Sequence, residues 1–267
     1  MSDLDADLKA ELAAVAHALA DAARPIALRY FRDREMVADN KLAGGFDPVT
    51  IADREVEQAM RAILAERRPD DGILGEEFGT HAGTSGLTWV LDPIDGTRGF
   101  ISGTPTWGVL VAVNEGAGPI YGVIDQPYIA ERFSGGFGTA SVDGPMGKRD
   151  LRVRQVKDLA EAVIFTTFPE VGTSHEGAAF HALAMRTKLT RYGMDCYAYA
   201  LLAAGQVDLV VEAGLSAYDV QAPIAVIEAA GGIVTNWQGG PAHDGGQILA
   251  AGSRDLHQAA MELLNQS

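Results

Sequence analysis

Among the 267 residues there is one cysteine, Cys196, so no disulfide can form within the chain and the fold must be held by its core. Aromatic residues are few, at 7%, and positive charge is scarce: 21 Lys and Arg stand against 36 Asp and Glu, a formal net charge of −15. That balance argues against non-specific attraction to nucleic acid or to an anionic membrane. An anionic substrate stays open, because bound divalent cations invert the local field. No apolar run reaches the length of a membrane span, and Trp107–Val113, WGVLVAV, is strand-sized. The acidic, amphipathic beginning MSDLDADLKAEL is unlike a secretory signal, and with the lone cysteine it leads to the expectation of a cytosolic protein. The six histidines are scattered, with neither HExxH nor paired cysteines, so a zinc centre is not expected.

What the chain does have is apolar residues, 47% of the total, enough for a large core as one α/β unit or two coupled lobes. Leu8, Leu12, Val15, Leu19, Ala22, Ile26 and Tyr30 recur every three or four residues and predict an amphipathic helix, bent near Pro25. Thr50 followed by Asp53 predicts the start of a second helix through Val56, Met60, Ile63 and Leu64. Strands are expected at 87–91 and 107–114, with antiparallel strands and glycine turns over 120–127 and 131–144. After a soft lobe boundary near 148–152, strands (162–167, 207–212, 232–237, 247–252) alternate with helices (177–186, 196–204, 219–232, 256–264). The lobes, 1–150 and 151–267, are read as one catalytic unit, with no internal repeat or low-complexity tract.

Acidic residues gather at the ends of these elements: Asp47 on a loop before a helix, Glu76 and Glu77 after an apolar segment, Asp92 and Asp95 in WVLDPIDGTRGF, and Asp219 at a helix start. Carboxylates with backbone oxygens and waters are the donors Mg²⁺ prefers. Pro93 stiffens the backbone so that the Ile94 carbonyl can join Asp92 and Asp95, and Gly96 allows close approach of a ligand. A helix beginning near Thr97 would add free N–H groups for an anion. Taken singly, Asp47, Asp53 and Asp219 also suit plain helix capping. The haloacid dehalogenases share a DxDGT-like stretch, but the D-x-x-D spacing and its place at residue 92 set this chain apart.

Together GEE (Gly75–Glu77), WVLDPIDGT (Trp89–Thr97) and YDVQAPIAVIEAAGG (Tyr218–Gly232) resemble the inositol monophosphatase family of Mg²⁺-dependent, lithium-sensitive phosphatases over nearly the whole chain. The resemblance implies an α+β fold, a layered αβαβα sandwich, and a homodimer. It implies metal ligation by Glu76, Asp92, the Ile94 carbonyl, Asp95 and Asp219, with two or three Mg²⁺ ions that Mn²⁺ can replace. Asp47 and Thr97 match the pair that orients and deprotonates the attacking water, and the N–H groups of Gly96 and Thr97 match the phosphate cradle. Glu77 is placed either behind the ligands or on the lining of the site, and Lys41 near the loop before Asp47, within reach of the site.

The resemblance implies a small phosphate ester as substrate, and neither nucleic acid nor membrane is expected as a partner. Gly99 stands where the commoner family form has Asn, Gln221 where a small residue is usual, and Asp195 where inositol phosphatases have a small residue. With GVIDQP (Gly122–Pro127) and DCYAYALLAAGQVDLVVE (Asp195–Glu212), these departures resemble the histidinol-phosphate phosphatase branch. L-histidinol phosphate carries an ammonium and an imidazole, which a carboxylate pair, Asp195 and Glu212, would complement. The plainer alternative makes Asp195 a helix N-cap and leaves Glu212 at a strand end. Cys196 is expected to be a small packed residue, and Tyr192, Tyr197 and Tyr199 a mixture of core and interface. Inositol 1-phosphate, fructose 1,6-bisphosphate and adenosine 3′,5′-bisphosphate are the alternative substrates. A non-catalytic metal-binding protein is the alternative of another class; it would not need a water-activating pair.

Overall fold

The computed structural model describes residues 4–33, 39–40 and 48–266. Helix α1 (Ala6–Tyr30) runs through Pro25 without a break, and the Asp5 carboxylate accepts from the Leu8 amide at its start. A two-residue pair, β1 (Asp39–Asn40) with β2 (Pro48–Val49), precedes α2 (Ile51–Arg67). The expected capping box opens α2: Asp53 Oδ2 accepts from the Thr50 amide at 2.7 Å, and Thr50 Oγ1 accepts from the Ala52 amide at 3.1 Å.

The chain then lays down β3 (Gly72–Gly75), β4 (Gly79–His81), β5 (Thr88–Asp95), α3 (Thr97–Ser102), β6 (Gly108–Asn114), β7 (Pro119–Gln126), β8 (Glu131–Gly136), β9 (Thr139–Asp143) and β10 (Arg149–Asp150). Among the described residues these strands form an eight-stranded sheet, ordered β10-β9-β8-β7-β6-β5-β3-β4 and antiparallel except where β3 lies beside β5. The second half supplies β11 (Val163–Thr166), α4 (Ser174–Ala184), β12 (Leu189–Tyr192), α5 (Cys196–Ala203), β13 (Leu209–Leu215), α6 (Ala217–Ala229), β14 (Ile233–Thr235), β15 (Gly246–Ala251) and α7 (Arg254–Leu264). Their strands make a five-stranded mixed sheet, β12-β11-β13-β15-β14.

Alternation along the strands sorts the residues into layers. Trp89, Leu91, Val109, Val111 and Val113 face α1 and α2, whereas Val90, Leu110 and Ala112 face the other way, onto α5 and α6. In the smaller sheet Val210, Ile248 and Ala250 join that middle layer, and Leu209, Val211, Leu249 and Ala251 pack under α4 and α7. The order is therefore helix, sheet, helix, sheet, helix: the expected αβαβα sandwich. Among the described residues no helix is long and apolar enough to cross a membrane.

Several elements differ from the sequence expectation, β12 among them, where no strand was expected. Strand 87–91 continues to Asp95, so the acidic motif lies inside β5. Helix α4 starts at Ser174, ahead of the expected 177, because Thr173 and Glu176 form a capping box. Helix α6 starts at Ala217, placing Asp219 within its first turn, where the carboxylate accepts from the Ser216 amide at 2.6 Å.

Candidate active site

Residues three apart on a regular strand point to opposite faces, so Asp92 and Asp95 should not share a cavity. A bulge changes this: Asp92 pairs with Leu110 and Asp95 with Gly108, three steps on β5 against two on β6. The extra residue returns the second carboxylate to the side of the first. The Ile94 amide donates to Asp92 Oδ1 at 3.1 Å, tying the bulge together. Gly96 then turns the chain into α3 with φ +80°, a left-handed conformation that favours glycine. The Thr97 hydroxyl donates back to the Ile94 carbonyl at 3.1 Å.

Glu76 arrives from β3, its amide extending the parallel pairing to the Leu91 carbonyl at 3.2 Å. Behind it stands Glu57, fully buried on α2, whose carboxylate accepts from the amides of Glu77 (2.7 Å) and Phe78 (3.2 Å) and pairs with Arg61 (2.7 Å). A methyl group on Gly75 would overlap the Glu57 carboxylate, which accounts for the glycine of GEE. Sequence reasoning missed Glu57. Its signal was an acid within the apolar stripe of α2, with Arg61 one turn on.

Glu76, Asp92, Ile94, Asp95, Gly96, Thr97, Asp195, Glu212 and Asp219 line one cavity of about 290 Å³. Glu77 is not among its lining residues. Asp47 and Lys41 lie outside the described residues. Carboxylate oxygens of Asp92, Asp95 and Asp219 fall within 4.8 Å of one another. Burial, then the neighbouring Glu76, Asp95 and Asp219, push the Asp92 carboxyl well above the ordinary range. Burial and Asp195 do the same to Asp95, although the Cys196 amide donates to Asp95 Oδ2 at 2.7 Å. Buried acids that repel one another need a compensating cation, and an all-oxygen donor set suits a hard divalent ion. The residues present therefore fit a metal of that kind. Cys196 is buried with its thiol pushed up, as a packed residue rather than a reactive one.

Asp195 departs from the capping alternative. It occupies the N-cap position of α5, yet its side chain makes no capping hydrogen bond, and its backbone has φ 47°, ψ −142°. A non-glycine residue held there is strained, a feature that clusters at functional sites. Its Oδ2 accepts from the Thr106 hydroxyl at 3.3 Å. Burial raises its pKa; Thr106 and Arg98 oppose the rise. Glu212 is likewise not at a strand end. It lies within β13 just before a second irregularity and accepts from Thr166 Oγ1 (3.1 Å), the Thr167 amide (2.7 Å) and Thr167 Oγ1 (2.9 Å). Burial pushes its pKa up to about 7 against these hydrogen bonds.

The three tyrosines singled out in the sequence divide. Tyr192 is exposed, the Tyr197 hydroxyl donates to Glu131 at 2.7 Å, and Tyr199 is buried against the cavity. Arg98 adds a wall that the sequence did not suggest, its guanidinium 4.7 Å from the Phe168 ring centre.

A buried acidic cluster that fits divalent cations, open to a cavity of small-molecule size, belongs to metal-dependent phosphoryl chemistry on this sandwich. Comparison with known proteins places the chain more closely: it matches the inositol monophosphatase family over residues 8–267 and belongs to that family. It is 39% identical to a protein of Arabidopsis thaliana named bifunctional phosphatase IMPL2, chloroplastic, over 99% of this chain and 77% of that one. It is 35% identical to a histidinol-phosphatase of Mycobacterium tuberculosis over 94% and 96% of the two chains. Its fold superimposes on an inositol monophosphatase from Zymomonas mobilis with a TM-score of 0.85, at 37% identity, covering 98% of this chain and 100% of that one. The protein is a metal-dependent phosphomonoesterase acting on small phosphate esters.

Proposed function

We propose that the protein hydrolyses L-histidinol phosphate to L-histidinol and phosphate, as in histidine biosynthesis. The observation that carries this reading is the Asp195 carboxylate, free of any capping bond and lining the same cavity as the acidic cluster. The likeness to a histidinol-phosphatase along nearly both full chains supports it. Asp195 and Glu212 receive the cationic, organic end of the substrate, where a charge-assisted hydrogen bond adds to affinity.

Glu76, Asp92, the Ile94 carbonyl, Asp95 and Asp219 hold two or three Mg²⁺ ions, which Mn²⁺ can replace. When bound, the cations lower the pKa of water and neutralise charge on the phosphoryl and leaving oxygens. Asp47 and Thr97 orient the attacking water, with the Thr97 hydroxyl anchored on the Ile94 carbonyl. The amides of Gly96 and Thr97 face the phosphate. Phosphoryl transfer chiefly needs alignment and charge neutralisation, so no side chain serves as nucleophile: water oxygen bonds to phosphorus as the ester oxygen leaves, and a proton given up by the water ends on the departing alcohol. The family resemblance extends the proposal to a homodimer, and the lone cysteine to a cytosolic setting.

A second reading, inositol-1-phosphate hydrolysis, is favoured by the superposition on the Zymomonas mobilis enzyme. Purified protein with Mg²⁺ decides between the two in a panel of histidinol phosphate, inositol 1-phosphate, fructose 1,6-bisphosphate and adenosine 3′,5′-bisphosphate. Phosphate release from histidinol phosphate should be much the fastest. The reverse order assigns the second reading, and no release from any ester restores a binding role.

A further inference from the structure

The space around Asp195 is made by two missing side chains. A methyl group at Gly96 would lie 2.8 Å from Asp195 Cγ and 3.0 Å from its Oδ2. One at Gly99, a single helical turn on, would lie 2.9 Å from Thr104 Oγ1, 3.2 Å from Asp195 Oδ2 and 3.4 Å from Thr106 Oγ1. Gly96 has a left-handed backbone that favours glycine in any case, but Gly99 sits within α3 and is not among the residues at positive φ. Glycine is a poor helix former, by roughly 1 kcal/mol against alanine, so its use inside α3 needs a packing reason. The reason on hand is what faces it: the Thr104 hydroxyl, which lies nearest, and the Asp195 carboxylate next to it.

The enclosure has a chemical result. Thr104 and Thr106 stand on the far side, with Thr104 Oγ1 donating to the Gly99 carbonyl at 3.2 Å and Thr106 Oγ1 to Asp195 Oδ2 at 3.3 Å. The Asp195 carboxylate is thereby pressed against the backbone of Gly96, the residue directly after Asp95. A carboxylate so near the phosphoryl-transferring cluster would repel a plain phosphate ester. It would attract one whose own cation lies three bonds from the ester oxygen.

We propose that Gly99 is a specificity-determining residue, and that its bare face with Asp195 selects phosphate esters bearing an ammonium on the carbon next to the ester CH₂. This rests on the reading that Asp195 meets the substrate's cation. Gly99 touches no reacting atom; it acts by leaving room for Asp195.

The test compares L-histidinol phosphate with the analogue lacking only its amino group, using the full protein at saturating Mg²⁺. The readout is the ratio of the two kcat/KM values, so any common loss of folded enzyme or turnover cancels. In the native protein the amino group should raise kcat/KM by about tenfold or more, the scale of a hydrogen bond between charged groups. Asp195→Asn should bring the ratio close to one. Gly99→Ala should lower it, and Gly99→Asn, which the cleft cannot absorb by small shifts, should lower it to the Asp195→Asn value. In an Asp195→Asn background either Gly99 substitution should leave the ratio as it is. If Asp195→Asn collapses the ratio but both Gly99 variants keep it, the role of Gly99 is wrong and the Asp195 reading stands. If Asp195→Asn keeps the native ratio, both are wrong. If the two effects multiply in the double variant, the residues act independently and the proposed coupling is overturned.

Discussion

Glu57 touches no part of the cavity, yet its removal should weaken metal binding. The side chain is fully buried, accepts from two backbone amides in the turn that carries Glu76, and pairs with Arg61. Glu57→Ala strips an anion from both amides and from the guanidinium. Breaking a buried pair from one side costs roughly 3–5 kcal/mol. Arg61 keeps 20% of its side chain in water and Phe78 is exposed, so the stranded partners rehydrate in part. The lower end, about 3 kcal/mol, is expected, which for a chain of this size corresponds to a fall in Tm on the order of 10 °C. Thermal unfolding in chelator reads that term. The dependence of Tm on added Mg²⁺ reads the second, a metal affinity weakened by about 10- to 100-fold, as for other outer partners of ligands. Glu57→Gln retains one acceptor and should fall between. An unchanged Tm in chelator would refute the clamp, and lost stability with native metal affinity would refute its role in positioning Glu76.

Two further outcomes follow from the same electrostatics. Asp92→Asn relieves repulsion within the buried cluster. The metal-free protein should gain about 1–2 kcal/mol while kcat falls at least about a hundredfold; lower stability in chelator would contradict the account. Asp53, buried at the start of α2, has its pKa raised by burial from 3.8 to about 6. The native state then holds a proton that the unfolded chain has lost, so stability falls as pH rises from about 4 to about 6, by roughly 3 kcal/mol in all. Urea unfolding across that range should show this slope in the native protein and a flatter one in Asp53→Asn; matching slopes would remove Asp53 as the cause.

Much of this was legible in the sequence where local chemistry decides. The Thr50–Asp53 box, the α6 acid and the alternating strands of both sheets are set by neighbours a few residues apart. The bulge in β5 was not legible. Proline and two aspartates are poor strand formers, so the strand appeared to end at Leu91, whereas pairing with β6 carries it through the motif. Short edge strands such as β12 carry too few residues to show a period. For Asp195 the sequence left two roles open, a contact to the substrate's cation and a helix cap, because what separates them is the absent capping bond and the glycines about a hundred residues earlier that face it. Glu57 likewise depends on a contact with a turn 20 residues away, and no window along the chain reveals it.

The meeting of Gly99 with Asp195 also orders the routes by which such a site can change. A side chain at 99 meets the Thr104 hydroxyl and then the acid, so enlargement there is the more obstructed while Asp195 remains. Once 195 has become small, the same enlargement has only the Thr104 and Thr106 hydroxyls to move aside. Of the two sequences of single substitutions that exchange these residues, one passes through a crowded intermediate and the other through an enzyme that has merely lost a charge. Descent between substrate preferences on this scaffold should therefore run through position 195 before position 99.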